Sequence, residues 1–312
     1  MSMVINHNLM AMNAARNLSD AYSDLSTSTR RLSSGLRVGT AADDAAGLAI
    51  RELMRADIAS LHQGSRNAND AISMIQTADG ALQVIDEKLI RMKELAEQAA
   101  TGTYTSDQRL IIDSEYQAMA SEITRIANAT DFNGIQLLNG NLSASSPGAS
   151  PASWQSDHSG SGMQPSGPLK VHFGTENSSA EDYYYIAIGN STASALGIGM
   201  NSVAAGATDT AGASISTQQG AQEALQALNE AITSKDKIRA NLGALQNRLQ
   251  NTITNLDIQA ENLQAAESRI SDVDVAKEMT EFVRNQILTQ SAVAMLSQAN
   301  SLPQMAMQLI QG

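Results

Sequence analysis

IRANLGALQNRLQNTITNLDIQAENLQAAESRI, residues 238–270, sets its apolar side chains down to a rule. Ile238, Leu242, Leu245, Leu249, Thr252, Leu256, Gln259, Leu263, Ala266 and Ile270 follow at alternating steps of four and three. A helix turns once in about 3.6 residues, so such a series stays on one face and asks for a partner helix. The first half of the chain supplies partners. Ile58, Leu61, Ser65, Ala68, Ile72 and Ile75 keep the same rhythm. After a slip it resumes as Ile75, Ala78, Leu82, Ile85, Leu89, Met92, Ala96 and Ala99. As helices, residues 43–99 and 217–270 would reach roughly 85 Å and 80 Å. Rods of matching length from the two halves can lie side by side, although Gly64 and Gly80 each weaken the first by about 1 kcal/mol.

Two more seams complete the helical reading. Val4, Asn8, Ala11, Ala15, Leu18, Tyr22, Leu25, Thr29, Leu32 and Leu36 form one near the start. Ile112, Tyr116, Met119, Ile123 and Ile126 form another, with Thr105 and Gln108 placed as a capping box ahead of it. In ATDFNGIQLLNGN (129–141) two Asn-Gly pairs flank a short apolar run, a hairpin signal. Pro147, Pro151, Pro165 and Pro168 then crowd into a Ser- and Gly-rich stretch that no long helix tolerates. Leu169, Val171 and Phe173, and then Tyr184, Ile186 and Ile188, alternate as strands do. The expected fold is mainly α. Long coiled-coil-like helices from both chain ends pack together, with a β-hairpin and a small inserted β-containing module over 141–214. That module is expected to hang from the far end of the rods.

Composition narrows the function. Aromatics are 3% of 312 residues, too few for one large aromatic core. A net charge of −12 argues against nucleic acid, which needs a basic face. The chain has no Cys, which removes thiolate metal sites, disulfides and Cys nucleophiles. No run approaches the ~18 apolar residues of a membrane span. MSMVINHNLMAMNAARN lacks the basic and apolar regions of a cleaved signal. His7, His62, His158 and His172 are scattered, without the spacing of a zinc hydrolase. SDVDVAKEM (271–279) starts like a calcium loop, but Lys277 and Val283 stand where its Gly and Glu belong. It reads instead as a helix start capped by Ser271. No cofactor, metal or catalytic residue is expected.

RLSSGLRVGTAADDAAGLAIR, residues 31–51, interrupts the helical pattern between Leu36 and Leu48. This stretch resembles the N-terminal signature of bacterial flagellins. NLDIQAENLQAAESRISDVDVAKEMTEFVRNQILTQSAVAMLSQAN (255–300), LPQMAMQLI after it and DFNGIQLL (131–138) resemble further blocks of that family. The resemblance covers residues 1 to about 140 and about 215 to 312.

What it implies is a subunit of the flagellar filament, assembled as an open helical homo-oligomer outside the cell. Residues 1–42 with 271–312 would form the terminal coiled-coil domain of the filament core. Residues 43–140 with 215–270 would form the helical rod domain, and 141–214 the variable surface domain. An assembly seam is expected at Leu18, Leu25, Leu32, Phe282, Val293, Leu296 and Leu309. The interruption becomes a short linker hinged at Gly35, Gly39, Asp43, Asp44 and Gly47, with Thr40, Asp43 or Asp44 capping the helix that follows. Implied partners are an export chaperone on the C-terminal segment, the filament cap and hook-junction proteins, and a Toll-like receptor of the host. Arg91, Leu95, Ile112 and Glu115 match that receptor's epitope, although Glu97 stands where an apolar residue is common. A hook–filament junction protein is the alternative within the same machinery. A peptidase housed in 141–214 is the alternative from another class, and the missing zinc motif argues against it.

Overall fold

The computed structural model describes residues 8–143, 167–178, 181–199 and 213–311, the last stretch without the side chains of 302–304 and 306–311. Five helices carry the chain: α1 (Leu9–Ser34), α2 (Ala45–Ala100), α3 (Ser106–Ala129), α4 (Gln218–Ser271) and α5 (Val275–Gln311). Four short strands lie between α3 and α4: β1 (Asp131–Phe132), β2 (Ile135–Gln136), β3 (Leu169–His172) and β4 (Tyr183–Ile186). Each consecutive pair forms a two-stranded antiparallel sheet. The chain divides into two compact units, one of residues 1–59 with 260–312 and one of residues 60–259. The division falls inside α2 and α4, not at the linkers that end them.

In the larger unit the apolar rhythm of the sequence becomes a core. Ile75, Ala78, Leu82, Ile85, Leu89, Met92, Ala96 and Ala99 of α2 are all buried. They face Ile112, Tyr116, Ile123 and Ala127 of α3 and Ala221, Ala224, Leu228, Leu242 and Leu249 of α4. Alternating Ala with Leu and Ile lets helix axes approach closely while volumes still interdigitate. Polar contacts give the directions. Lys93 donates to Asn229 at 2.8 Å, Lys235 pairs with Asp86, and Arg239 pairs with Asp79 at 2.8 Å. One number rises as the other falls, so α4 runs antiparallel to α2. The α2–α3 turn uses the expected capping box, with the Thr105 and Gln108 side chains bonded reciprocally to backbone. Arg109 then donates to the carbonyls of Ala99 and Thr101, satisfying the end of α2.

The β1–β2 hairpin turns at Asn133 and Gly134, both at positive φ (53° and 79°). That is why the sequence places Asn-Gly there.

The described part of the inserted segment does not hang from the far end of the rods. The β3–β4 hairpin lies back along α2 and α4. Asn67 of α2 donates to the His172 carbonyl at 2.9 Å, and the Arg248 guanidinium of α4 stacks over the Tyr184 ring at 3.6 Å. Val171, Ile186 and Ile188 join the helical core. From β4 the chain runs beside α3, with Ile188 and Ser191 bonded to the carbonyls of Leu142 and Leu138. It meets Asp113, whose carboxylate accepts from the Ile215 amide at 2.8 Å, before entering α4. The physical reason is apolar: strands with one greasy face lose less free energy on a helical groove than in water.

The glycines of α2 differ in purpose. A Cβ at Gly64 would overlap the Phe173 carbonyl, so the close approach of the hairpin needs hydrogen there. Gly80 faces open space. Gly80→Ala is therefore expected to stabilise the protein by up to about 1 kcal/mol. Gly64→Ala, equally favourable in an isolated helix, should instead destabilise it by about 1–3 kcal/mol. Thermal denaturation of the two variants reads the opposite signs.

Candidate assembly surface

The smaller unit is built on α1 against α5. Asn8 caps α1 by accepting from the Ala11 amide and reaches across to the Ala299 carbonyl at 2.8 Å. At the other end of the pair Arg31 lies 3.8 Å from Glu278. The side chains hidden between the helices are small or polar. Ala21 and Ser28 are buried on α1, and Glu278, Asn285, Thr289 and Ala299 on α5. The Thr289 hydroxyl satisfies itself on the Asn285 carbonyl of its own helix. Leu18, Leu25, Leu32, Phe282 and Leu296 are half-buried around these positions. They belong to the seam within one chain. Val293 is exposed, and the Leu309 side chain lies outside the described residues.

The large apolar side chains point outward. Leu9, Met10, Met12 and Tyr22 of α1 are exposed, as are Val275, Met279, Val283, Ile287, Leu288, Val293, Met295 and Met305 of α5. Ile287 keeps 57% of its surface and Met295 61%, whereas Asn285 keeps 7%. Val275, Met279, Val283 and Ile287 descend at steps of four, which keeps neighbours in contact along one side of the helix. A helix apolar all round is normally buried all round. Counting heptads on α1 pointed inward at Tyr22, but the seam has turned by one position, to Ala21 and Ser28. On α5 polar residues lie on both sides, Asn285 and Thr289 inward and Lys277 and Arg284 outward, so no single polar stripe marked its facing.

The linker between α1 and α2 is held, not loose. Gly35 ends α1 in the left-handed region, φ 73°, with its amide bonded to the Arg31 carbonyl. The strand-like step that follows pairs Leu36 with Asp272. The Arg37 amide donates to Ser271 at 2.7 Å, and the Val273 amide to Gly35 at 3.0 Å. Val38 is buried, and its carbonyl accepts from the buried Arg51 guanidinium at 2.6 Å.

Of the three expected hinge glycines, only Gly35 has positive φ. Gly47 is needed for another reason. A Cβ there would overlap the Asp44 carboxylate, which caps α2 by accepting from the Gly47 amide at 2.9 Å. Asp44, not Thr40 or Asp43, is thus the cap. Asp43 instead closes the turn before it, accepting from the Thr40 hydroxyl at 2.8 Å and the Thr40 amide at 3.0 Å, with Arg30 at 2.7 Å. Likewise Asp274, not Ser271, caps α5, accepting from the amides of Ala276 and Lys277. Ser271 is buried where α4 ends.

In the larger unit Arg91 bridges Glu115 of α3 at 2.8 Å and Glu94 of its own helix at 2.9 Å. Arg91 and Glu94 are exposed, and Glu115 is half-buried. Leu95 and Ile112 are buried in the core beneath them, out of reach of a partner in solution. Exposed apolar side chains near this pair are Ile90, Leu110 and Ile111, which no motif singled out. Among the described residues no group of three or more His, Cys, Asp or Glu could hold a metal, and no helix is long and apolar enough to cross a membrane.

Residues 5–143 match the family described as the bacterial flagellin N-terminal helical region, and residues 225–310 the bacterial flagellin C-terminal helical region. Flagellin of Bacillus subtilis is 42% identical over 318 residues, covering 99% of this chain and all of the relative. The flagellar filament 33 kDa core protein of Treponema phagedenis is 40% identical over 308 residues, with the same coverage of both chains. The crystal structure of Bacillus cereus flagellin covers 65% of this chain and 94% of its own, at 27% identity and a TM-score of 0.43.

The Thr40 hydroxyl, its amide and the nearby Arg30 hold the Asp43 carboxyl below its usual range. A depressed carboxylate contributes stability above its unfolded value of about 3.9, and the contribution is lost as pH falls through the folded value. Asp43→Asn should therefore lower the melting temperature at pH 7. The gap from wild type should narrow as the pH falls through the lowered folded value, as melts across a pH series would record.

Proposed function

The chain belongs to the bacterial flagellin family and is a structural subunit of the flagellar filament that serves motility, not an enzyme; we propose that it assembles through the outward apolar faces of α1 and α5. The observation that carries this reading is that the fully buried positions of the pair are small or polar, while a dozen large apolar side chains of α1 and α5 remain exposed. Burying one Leu-, Ile- or Met-sized side chain is worth about 1.5–3 kcal/mol. A dozen such groups left in water make a strong drive to associate. A repeating contact between unlike faces does not close, and so builds an open helix.

Within this mechanism residues 1–42 and 271–312 form the filament core, 43–140 and 215–270 the rod, and 141–214 the surface-facing part. Leu18, Leu25, Leu32, Phe282 and Leu296 support assembly indirectly, by holding α1 on α5 so that the outer faces are presented. The linker at Gly35, Asp43, Asp44 and Gly47 fixes where the chain leaves one layer and enters the next. Gly39 sits in the same turn. We place the working site outside the cell, reached by flagellar export. An export chaperone has in 272–312 a segment whose exposed apolar face needs covering before assembly. The cap and hook-junction proteins would meet the same terminal faces.

Recognition by a Toll-like receptor of the host is proposed at the Arg91–Glu115 pair, with Leu95 and Ile112 holding the two helices that present it. Arg91→Ala, which removes the bridge and leaves the core intact, should lower receptor activation by at least about tenfold, as losing one charged anchor at an interface does. A reporter-cell titration with purified monomer measures it.

The test of assembly is seeded polymerisation imaged by electron microscopy. The full chain should grow long filaments. A chain trimmed to residues 43–270 and the full-length variant Ile287→Asp should not. Growth by the trimmed chain would remove the terminal helices from the mechanism. Growth by Ile287→Asp alone would move the contact to another face of α5.

A further inference from the structure

The exposed faces of the terminal helices carry more than aliphatic side chains. Met10, Met12, Met279, Met295 and Met305 are exposed, between 45% and 61% of their surface. The described methionines of the larger unit are sheltered. Met74 and Met92 are buried, and Met119 is half-buried against the core. Accessible thioether is therefore concentrated, among the described residues, on the surface where the subunit would join its neighbours. Met279 lies between Val275 and Val283, each four residues away on the same stripe. Met10 follows exposed Leu9.

Thioether sulfur is a soft nucleophile, and its oxidation turns a flexible apolar side chain into a polar one. We propose that Met10, Met12, Met279, Met295 and Met305 are sulfoxidation sites through which a peroxide oxidant makes the unassembled subunit incompetent for polymerisation. The inference rests on the assembly faces proposed above.

The chemistry balances. A sulfur lone pair attacks one oxygen of hydrogen peroxide, an S–O bond forms and the O–O bond breaks. Sulfur is oxidised by two electrons, and the peroxide is reduced. The transferred hydroxyl gives its proton to the departing hydroxide, leaving one sulfoxide and one water. The S=O group is a strong hydrogen-bond acceptor. Buried between apolar helix faces it finds no donor, and that lost pairing opposes assembly. Because helix geometry does not depend on these side chains, the oxidised monomer stays folded. Once in a filament the same sulfurs are covered, so the switch acts only before incorporation.

The experiment treats full-length monomer with hydrogen peroxide, quenches with catalase, locates added oxygen by mass spectrometry and measures the critical concentration for seeded growth. Oxidation at the five sites should raise that concentration by about tenfold or more, with helicity by circular dichroism unchanged. The variant Met10→Leu, Met12→Leu, Met279→Leu, Met295→Leu, Met305→Leu should polymerise as wild type does after the same treatment. Should those five changes impair assembly in themselves, Met10→Leu with Met12→Leu and Met279→Leu with Met295→Leu, made as separate pairs, should each blunt the response. Wild type that carries five sulfoxides and still grows normally would overturn the proposal. So would leucine variants that stay as sensitive as wild type. Ile287→Asp separates the two layers, because it disrupts the face without sulfur. If it blocks growth while oxidised wild type grows, the methionine switch alone fails. If it grows, the assembly face itself was misassigned.

Discussion

The α1–α5 pair rests on a conflict between what its seam can hide and what its sequence contains. Two helices meeting at Ala21, Ser28, Asn285 and Thr289 can approach closely, because the fully buried positions are not large, with Leu18, Leu25, Phe282 and Leu296 half-buried around them. Closeness on that side leaves Val275, Met279, Val283, Ile287, Leu288, Val293, Met295 and Met305 of α5 exposed. The arrangement is weak as a folded pair and strong as an incomplete interface. Buried Asn and Thr cost desolvation, which Thr289 offsets on the Asn285 carbonyl of its own helix.

The larger unit solves the same packing problem differently. Its core is dry along α2, α3 and α4, and its charges are placed where they align helices. Lys235 is almost wholly buried, yet it pairs with Asp86 and with Asp236 at the rim, and Arg239 meets Asp79 one heptad further along α2. A buried cation without its partner is heavily penalised, so a slip of α4 along α2 would strand Lys235 among alanines and leucines. The inserted hairpin seals the groove that these helices leave, through Phe173 against Gly64 and Tyr184 under Arg248. An apolar strand face found the nearest apolar surface available to it.

Much of this was legible in the residues. Heptads on α2 named most buried apolar positions, missing Ala71, Met74 and Leu95 beside the seam, because a dry helical core obeys spacing. The capping box at Thr105 and the turn at Asn133 were equally plain, since each depends on a few local atoms. What escaped depended on distance along the chain. No pattern in 141–214 says that the hairpin folds back on residue 67. The choice of Asp44 over Asp43 as the cap turns on one carboxylate finding Thr40 and Arg30 first. On the terminal helices seam counting found side chains that are half-buried within one chain. Leu18 and Leu296 have the right spacing, but periodicity cannot tell which apolar side of a helix meets its own chain and which meets another. The flagellin resemblance supplied the role of those helices without supplying their facing.

The join between Arg37 and the end of α4 has a consequence for timing. Its two sides are separated by 233 residues, about three-quarters of the protein. Closing so long a loop carries a large entropy cost, and contacts of such separation form late. The N-terminal linker therefore has no docking site until residues 270–273 exist and have folded. A chain cut short anywhere before that point presents α1 without the groove that orients it. The topology thereby makes the anchoring of the N-terminal linker depend on a segment synthesised late in the chain.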